Sequence, residues 1–247
     1  MSNLLPAVAI KDASPDHPIN ELLAKRWSPY VFSARPVADA DLFSLFEAVR
    51  WSASSYNEQP WAYFIATAEN AEEFARLLSC LVPANQVWAK AAPVLILTVV
   101  SQRFSKNQGE NRAALHDLGQ ASANLSLEAT ARGLSVHQMI GILPDRAREL
   151  YQIPEHFDAW TAMAVGYAGN GEVQSGVLQE RDRAPRERKP AGDFVFTGAW
   201  GKSASLFKPP VVSSAATARA SSDPHPDPIQ RVILANDTDH RSSQEGA

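Results

Sequence analysis

The chain has few of the residues that build disulfides, metal clusters or membrane spans. Its one cysteine, Cys80, excludes an internal disulfide and a cysteine metal cluster, and it suits a reducing compartment. The longest apolar run, residues 91–100, is far shorter than the ~20 residues that a membrane-spanning helix needs. The N-terminal segment has neither the basic start nor the long apolar core of a signal peptide. We therefore expect a cytoplasmic protein with no membrane partner.

Several motifs that identify common enzyme classes are absent as well. The sequence contains no G-x-G-x-x-G fingerprint for dinucleotides and no phosphate-binding P-loop with its lysine. It contains no G-x-S-x-G turn and neither HExxH nor CxxC, so we expect no bound metal. The six histidines show no ligand spacing. A Ser/His/Asp triad stays open as an alternative, although no serine is distinguished from the others.

The charge balance is mildly acidic, with 27 acidic and 23 basic residues and a net charge of -4. This balance gives no reason to expect nucleic acid as a partner. The composition shifts toward Pro, Ser, Ala and Asp after about Lys208, which is typical of a segment without a packed core. We predict one folded domain over 19–208, preceded by an extension over 1–18 and followed by a disordered tail over 209–247.

The apolar periodicity predicts a domain in which helices pack on a sheet. Strands are expected at Trp61–Thr67, Pro93–Val100, Ala159–Tyr167 and Phe194–Phe196. Helices are expected at about 18–26, 39–49, 69–81, 111–132 and 144–151. The remaining segments are interpreted as connections: 85–90 as a link, 101–109 as a mobile loop, 136–143 as a loop and 170–192 as an arginine-rich stretch.

One connection carries more polar side chains than a turn requires. It runs from Trp51 to Trp61, between an amphipathic helix and an apolar strand, and we call it the signature loop. Loops held by a rigid scaffold often carry binding residues, so this loop is predicted to form the floor of a ligand site. Its hydrogen-bonding side chains are those of Ser54, Ser55, Asn57 and Gln59.

A second group of polar residues is spread along the chain. Arg186 and Arg188 can face the same way in an extended segment, and Arg26 would add a third guanidinium beside Ser28. Guanidinium groups suit phosphate because they donate paired hydrogen bonds in one plane. Together with the signature loop, these residues predict a site for a phosphorylated aromatic cofactor. The alternative is a solvated arginine-rich loop beside turns of ordinary polarity.

These elements follow one another in the order found in a known family. Over about residues 19–201 the chain resembles the FMN-dependent nitroreductase family. The Ser-Ser-x-Asn-x-Gln-Pro-Trp element is the most specific part of the resemblance. The resemblance is carried by Arg26-x-Ser28, Pro36-Val37, Glu47-Ala48-x-x-Trp51, Ser54-Ser55-x-Asn57-x-Gln59-Pro60-Trp61, Asn85 before Ala92-Pro93, Asp117-Leu118-Gly119 with Gly133-Leu134, Ala164-Val165-Gly166-Tyr167, Pro185-Arg186-x-Arg188-x-Pro190, Phe194-Val195-Phe196 and Trp200-Gly201.

The resemblance implies an α+β fold, with a mixed sheet flanked by helices, in an intertwined homodimer that holds one FMN per subunit at the interface. It implies a ping-pong exchange. NADH or NADPH delivers hydride to flavin N5 and leaves, and the reduced flavin then reduces a nitroaromatic, a quinone or a similar acceptor. The protein would bind, orient and tune the flavin, so no side chain need act as a nucleophile. A flavin-binding carrier or sensor with little turnover is the alternative.

The resemblance also implies which residues touch the cofactor. Arg26 and Ser28 match positions at the phosphate and ribityl end, and Arg186 and Arg188 match a basic pair that meets the same phosphate. Asn85 matches a contact to the pyrimidine edge of the flavin. The implied cofactor-binding set is Arg26, Trp27, Ser28, Tyr30, Ser54, Ser55, Asn57, Asn85, Met139, Ile140, Gly141, Arg186 and Arg188.

Tyr30 departs from the family pattern, because many members carry Arg or Lys there. A cation at that place would stabilise negative charge on the reduced flavin, whereas tyrosine offers one hydrogen bond and no charge. We therefore expect a flavin that is harder to reduce. Ala53 likewise replaces a common proline.

Two further residues have more than one interpretation. His137 is interpreted as a loop residue, and the alternative is that it donates a proton to the substrate. Trp88 is interpreted as a core residue, and the alternative is that it lines the active site.

Overall fold

The computed structural model describes residues 11–169 and 176–207. The chain divides into two compact units, 1–184 and 185–247. In its described part the second unit has two 3-10 turns, Ala191–Asp193 and Ser205–Phe207, and a bridge between Phe196 and Ser203. The predicted tail lies outside the described residues, as do residues 1–10 of the predicted N-terminal extension.

The first unit is built on a sheet of four strands in the order β1-β2-β4-β3. All three pairings among these strands are antiparallel. The α+β class with helices on the sheet is confirmed, and the parallel component of the predicted mixed sheet is not found among the described strands. The strands are β1 Trp61–Thr67, β2 Val94–Ser101, β3 Ser135–Met139 and β4 Phe157–Gly166.

Helices cover both faces of the sheet. On β2, Val94 and Ile96 belong to one apolar cluster while Leu95 and Leu97 belong to the other, as the alternation of side chains along a strand requires. Burial on both sides explains why this strand is apolar except for Thr98 and Ser101. The helices are α1 Glu21–Lys25, α2 Asp39–Arg50, α3 Ala71–Leu78, α4 Pro83–Ala89, α5 Ala114–Ala131, α6 Pro144–Tyr151 and α7 Gly176–Arg183.

Each face has its own set of helices. Helices α2 and α5 supply Leu45, Leu125 and other apolar side chains to one cluster, and the small residues of α5 let the two helices approach closely. Helices α3, α4 and α6 pack on the opposite face, where α4 contributes the buried Trp88. Within residues 11–169 and 176–207, no helix has the length and apolar content needed to cross a bilayer.

Four expectations for local structure were wrong. The 85–90 link lies in helix α4, where Pro83 occupies the first turn and Trp88 and Ala89 are buried. The first half of the predicted loop 136–143 lies in strand β3, and the arginine-rich stretch contains helix α7. The predicted strand Phe194–Phe196 is reduced to one bridge, because Phe194 is exposed and lies beyond a 3-10 turn.

Candidate functional site

The signature loop has an unusual backbone. Tyr56, Asn57 and Gln59 have φ angles of 55°, 56° and 51°, in the left-handed region that non-glycine residues seldom occupy. Hydrogen bonds inside the loop hold this shape: the Gln59 amide donates to Ser54 Oγ at 3.0 Å, and the Asn57 amide donates to the Ser54 carbonyl at 3.0 Å. Such local strain persists only where surrounding structure holds it, and it is common at ligand sites.

A buried carboxylate supports the loop from outside. Asp117, in the first turn of α5, is 2% exposed, and its Oδ2 accepts the Ser55 amide hydrogen at 2.9 Å. The bond joins residues 62 positions apart, so it fixes the loop against the helix that packs under the sheet. Asp117 is therefore a hydrogen-bonding residue that orients the Ser55 backbone.

The segment 101–110 folds against the signature loop. The Ser105 amide donates to Glu58 Oε1 at 2.7 Å, and the rings of Tyr56 and Phe104 meet edge to face at 5.8 Å. A cleft of about 320 Å³ lies between this segment, the loop and the start of β4. Its charged and titratable lining residues are Glu58, Arg103 and His156.

Arg26, Trp27 and Ser28 follow helix α1. Arg26 Nη1 donates to Ser28 Oγ at 3.4 Å, which places a guanidinium and a hydroxyl side by side. Trp27 is buried, with Lys11 Nζ at 5.6 Å from the centre of its ring. The two polar side chains that the sequence assigned to a phosphate are thus brought together, whereas the Trp27 side chain packs inward.

Three rings meet at the β3 edge of the sheet, and we call them the aromatic cluster. The Tyr30 ring lies 5.2 Å from that of Trp88 and 4.6 Å from that of His137, both edge to face. The rings of Trp88 and His137 are 4.4 Å apart. Trp88 is 1% exposed and Tyr30 and His137 are half-buried, so Trp88 is a core residue that supports the other two.

His137 lies in strand β3, so its interpretation as a loop residue was wrong. Its Nδ1 is 2.9 Å from the Pro29 carbonyl oxygen. That oxygen can only accept, so Nδ1 carries the hydrogen and Nε2 carries a lone pair. Burial lowers the pKa of His137 below its usual value, although the bond to Pro29 opposes the shift. The ring is therefore neutral at neutral pH.

This depressed pKa predicts a pH dependence of stability. The pKa of His137 in the folded protein lies below its unfolded value of about 6.5. The neutral ring therefore stabilises the fold fully above pH ~6.5. This contribution is lost as the pH falls from the unfolded pKa through the folded pKa. Between about pH 7.5 and pH 5, we expect the wild type to lose stability relative to His137→Gln by at most about 1.4 kcal/mol per pH unit. Urea unfolding across this range measures the difference, and parallel curves for the two proteins would contradict it.

Asn85 joins the aromatic cluster to the turn after β3. It is 3% exposed, its Nδ2 donates to the Gly141 carbonyl at 3.0 Å, and its Oδ1 accepts Trp88 Nε1–H at 3.3 Å. A Cβ on Gly141 would lie 2.5 Å from Asn85 Nδ2, so the turn needs glycine there. Met139 is buried and Ile140 is exposed. Asn85 thus sets the shape of the 139–141 turn, and its side-chain amide forms hydrogen bonds to Gly141 and Trp88 of the same chain.

The aromatic cluster and the signature loop adjoin opposite edges of the sheet. The loop leads into β1 and His137 lies on β3, with β2 and β4 between them. At the usual spacing between strands, the two edge strands lie roughly 14 Å apart. Arg186 and Arg188 belong to the second unit, where Arg188 Nη1 donates to the Glu187 carbonyl at 2.6 Å.

Sequence reasoning missed a support for Tyr30 that comes from helix α7. The Asp182 carboxylate accepts the Tyr30 amide hydrogen at 3.0 and 3.1 Å and the Val31 amide hydrogen at 2.9 Å. Burial raises the pKa of Asp182 above its ordinary value, while the backbone donors and Lys11 oppose the shift. The residues lie about 150 positions apart and no local motif marks Asp182.

No group of three or more His, Cys, Asp and Glu side chains arranged as a metal site occurs in the part of the chain that the structure describes. The residues of the first unit that the sequence predicts to bind a cofactor instead offer a guanidinium, hydroxyls, backbone groups and ring faces. Such a set suits an organic anion with an aromatic portion.

Comparison with known proteins agrees with this geometry. The model of the nitroreductase family matches residues 23–167. A relative from Mycolicibacterium smegmatis, named as an uncharacterised 15.4 kDa protein, is 32% identical over 134 residues, which are 54% of this chain and 89% of the relative. A protein of Archaeoglobus fulgidus, named provisionally as an NADH dehydrogenase/NAD(P)H nitroreductase, is 25% identical over 60% of this chain and 83% of its own.

A solved structure extends the likeness to the fold. A crystal structure described as an oxidoreductase containing FMN has a TM-score of 0.71 and 28% identity, over 76% of this chain and 95% of that chain. The family match includes the signature loop and all four strands of the sheet. Because that match also spans more than half of the 247 residues, the chain belongs to the nitroreductase family.

Proposed function

We propose that this protein is a flavin oxidoreductase that binds FMN and passes reducing equivalents from NADH or NADPH to a nitroaromatic, a quinone or a similar small acceptor. The observation that carries the proposal is the convergence of Tyr30, His137 and the 139–141 turn at one edge of a nitroreductase-family sheet. The similar structure described as containing FMN supports the choice of cofactor.

The residues present fit FMN in their chemistry. Arg26 and Ser28 offer a charged donor and a hydroxyl to a phosphate, and hydrogen bonds to a charged group are the stronger kind. The half-buried rings of Tyr30 and His137 offer apolar surface to an aromatic ligand. Asn85 holds the 139–141 turn in place, so the backbone beside the exposed Ile140 is preorganised.

The chain's own residues would bind and orient the cofactor. Bound FMN would supply the redox chemistry, taking up a hydride equivalent from the nicotinamide and passing electrons to the acceptor in a ping-pong exchange. Asp117 keeps the Ser55 backbone in place at one side of the site. The neutral His137 directs its Nδ1–H to the Pro29 carbonyl, and this hydrogen bond fixes the orientation of the ring.

A homodimer would bring the two edges of the sheet together in one site. Within one chain, the signature loop and the aromatic cluster adjoin opposite edges. Trp51 and Tyr56 of the signature loop are exposed, at 75% and 91%, and Phe43 of helix α2 is exposed at 74%. Large exposed apolar side chains that lie close together often mark an interface. We therefore propose that the loop of one subunit completes the FMN site of its partner.

The visible spectrum of the purified protein tests the proposal first. We expect a yellow protein, or one that turns yellow when FMN is added, and bleaching by NADH or NADPH without oxygen. Steady-state oxidation of the nicotinamide should then require an acceptor such as a quinone or a nitroaromatic compound. Failure to bind FMN under any condition would overturn the proposal.

A carrier or sensor is the second candidate function. The specific observation that favours it is Tyr30, which places no positive charge of its own at the flavin edge. Stable FMN binding without acceptor-dependent nicotinamide oxidation would select this candidate over the oxidoreductase.

A further inference from the structure

Helix α7 brings a cation to the ring of Tyr30. The Arg181 guanidinium carbon lies 5.4 Å from the centre of that ring. At this distance a guanidinium is attracted to an aromatic face. The same ring contacts Trp88 and His137 at 5.2 and 4.6 Å, so the Arg181 side chain joins the aromatic cluster.

Hydrogen bonds hold the backbone at and after Arg181 in place. The next residue, Asp182, accepts hydrogen bonds from the amides of Tyr30 and Val31 and is buried. Lys11 Nζ donates to the Arg181 carbonyl at 2.8 Å and also to the Ala184 carbonyl. Lys11 is itself buried and fills the role of a cation at a helix C-terminus. These bonds fix the backbone at the end of α7 against the 30–31 backbone, and the contact with the Tyr30 ring places the guanidinium.

We propose that Arg181 supplies the positive charge at the Tyr30 end of the FMN site, and that Asp182 and Lys11 are the residues that position it. This inference rests on the proposed binding of FMN. It goes further by naming the side chain that adjusts the reduction potential of the cofactor, a side chain that lies 151 positions away from Tyr30 in the sequence.

The local charges agree with this role. Lys11 and Arg181 are cationic and Asp182 is anionic, so the three residues together keep one positive charge. Arg181 is half-buried, and a half-buried charge is screened less by water and salt than a fully exposed one. A positive charge at this place would stabilise the negative charge that reduction adds to a bound cofactor. On this inference Arg181 supplies the charge that Tyr30 lacks, which opposes the effect expected from Tyr30 alone.

The test compares three variants of the FMN-loaded protein. Arg181→Gln removes the charge, Arg181→Lys keeps it, and Arg183→Gln removes the same charge from an exposed residue of the same helix. We expect Arg181→Gln to reduce the preference for reduced over oxidised FMN by about tenfold, which is about 30 mV in a two-electron midpoint potential. Arg181→Lys should recover most of the potential, and Arg183→Gln should leave it near the wild-type value.

A second variant changes a residue that positions Arg181. Lys11→Met leaves Arg181 in the sequence but removes both the donor to its carbonyl and one nearby cation, so we expect the same direction of change with a smaller size. Equal potentials for wild type and Arg181→Gln, or equal shifts for Arg181→Gln and Arg183→Gln, would overturn the inference. A wild-type protein that binds no FMN would overturn the proposed function instead, and thermal unfolding of each variant identifies any that do not fold.

Discussion

Replacing Trp88 by alanine is expected to lower the free energy of unfolding by about 3–5 kcal/mol, the usual cost of removing a large buried aromatic side chain. Trp88 is 1% exposed, contacts the rings of Tyr30 and His137, and donates its indole hydrogen to Asn85. The substitution would leave a cavity under the aromatic cluster and would leave Asn85 Oδ1 without this donor. Urea unfolding followed by far-ultraviolet circular dichroism measures the change.

Two further variants show which property of Trp88 matters. Trp88→Phe keeps an aromatic ring and loses the indole hydrogen, so we expect a loss of about 1–3 kcal/mol from the unpaired acceptor. Trp160→Ala is the control, because Trp160 lies on β4 with its side chain 39% exposed. A smaller loss for Trp88→Ala than for Trp160→Ala would show that the aromatic cluster is not part of the core.

Replacing Arg186 and Arg188 together by alanine is expected to weaken FMN binding by roughly 3–6 kcal/mol, because a hydrogen bond to a charged group contributes roughly 1.5–3 kcal/mol. In terms of affinity this is about a hundredfold or more. The assignment of both residues to the phosphate comes from the family resemblance. Fluorescence titration of the apoprotein with FMN measures the dissociation constant.

The control for this pair removes the same charge from the same unit. Lys189→Ala with Lys202→Ala takes away two cations between residues 185 and 207. Riboflavin, which lacks the phosphate, provides an independent check, since its affinity should fall much less than that of FMN in the arginine variant. An unchanged FMN affinity would remove Arg186 and Arg188 from the cofactor site.

The parts of the fold that could be predicted are those with a strong local signal. Strands β1, β2 and β4 are mostly apolar, although Thr98 and Thr161 interrupt β2 and β4. Helix α2 shows Leu42, Leu45 and Val49 at helical spacing. The signature loop was found because its polar side chains exceed what a turn needs. All of these signals arise within a short window of sequence, where periodicity and composition are informative.

The elements that were missed depend on distant contacts. Helix α4 has only 7 residues, and its stability comes from burying Trp88 and Ala89 against the sheet. Strand β3 has only 5 residues and carries His137 and Gln138 at its centre, which hides the apolar alternation. The pairing with β4 between Ser135 and Met139 decides the structure of this segment, and pairing is not visible in one strand alone.

In the candidate site, too, short-range features could be predicted from the sequence and long-range contacts could not. Arg26 and Ser28 are two positions apart, and their proximity could be predicted from spacing. The contact of Asp182 with the Tyr30 amide joins residues 152 positions apart, and the position of Arg181 depends on it. An aspartate that accepts two backbone amides looks like any other acidic residue in an arginine-rich stretch.

The backbone of the signature loop limits how far this motif can be transplanted. Of its left-handed residues, Tyr56 and Gln59 do not adopt that conformation by preference, whereas asparagine, as at position 57, tolerates it better. Asp117 holds the loop at the Ser55 amide, and the amide of Ser105 holds Glu58. A protein engineer who copied residues 54–61 into another scaffold would carry over the side chains and lose the curvature. The functional unit to copy is the loop together with the start of α5 and the 101–110 segment.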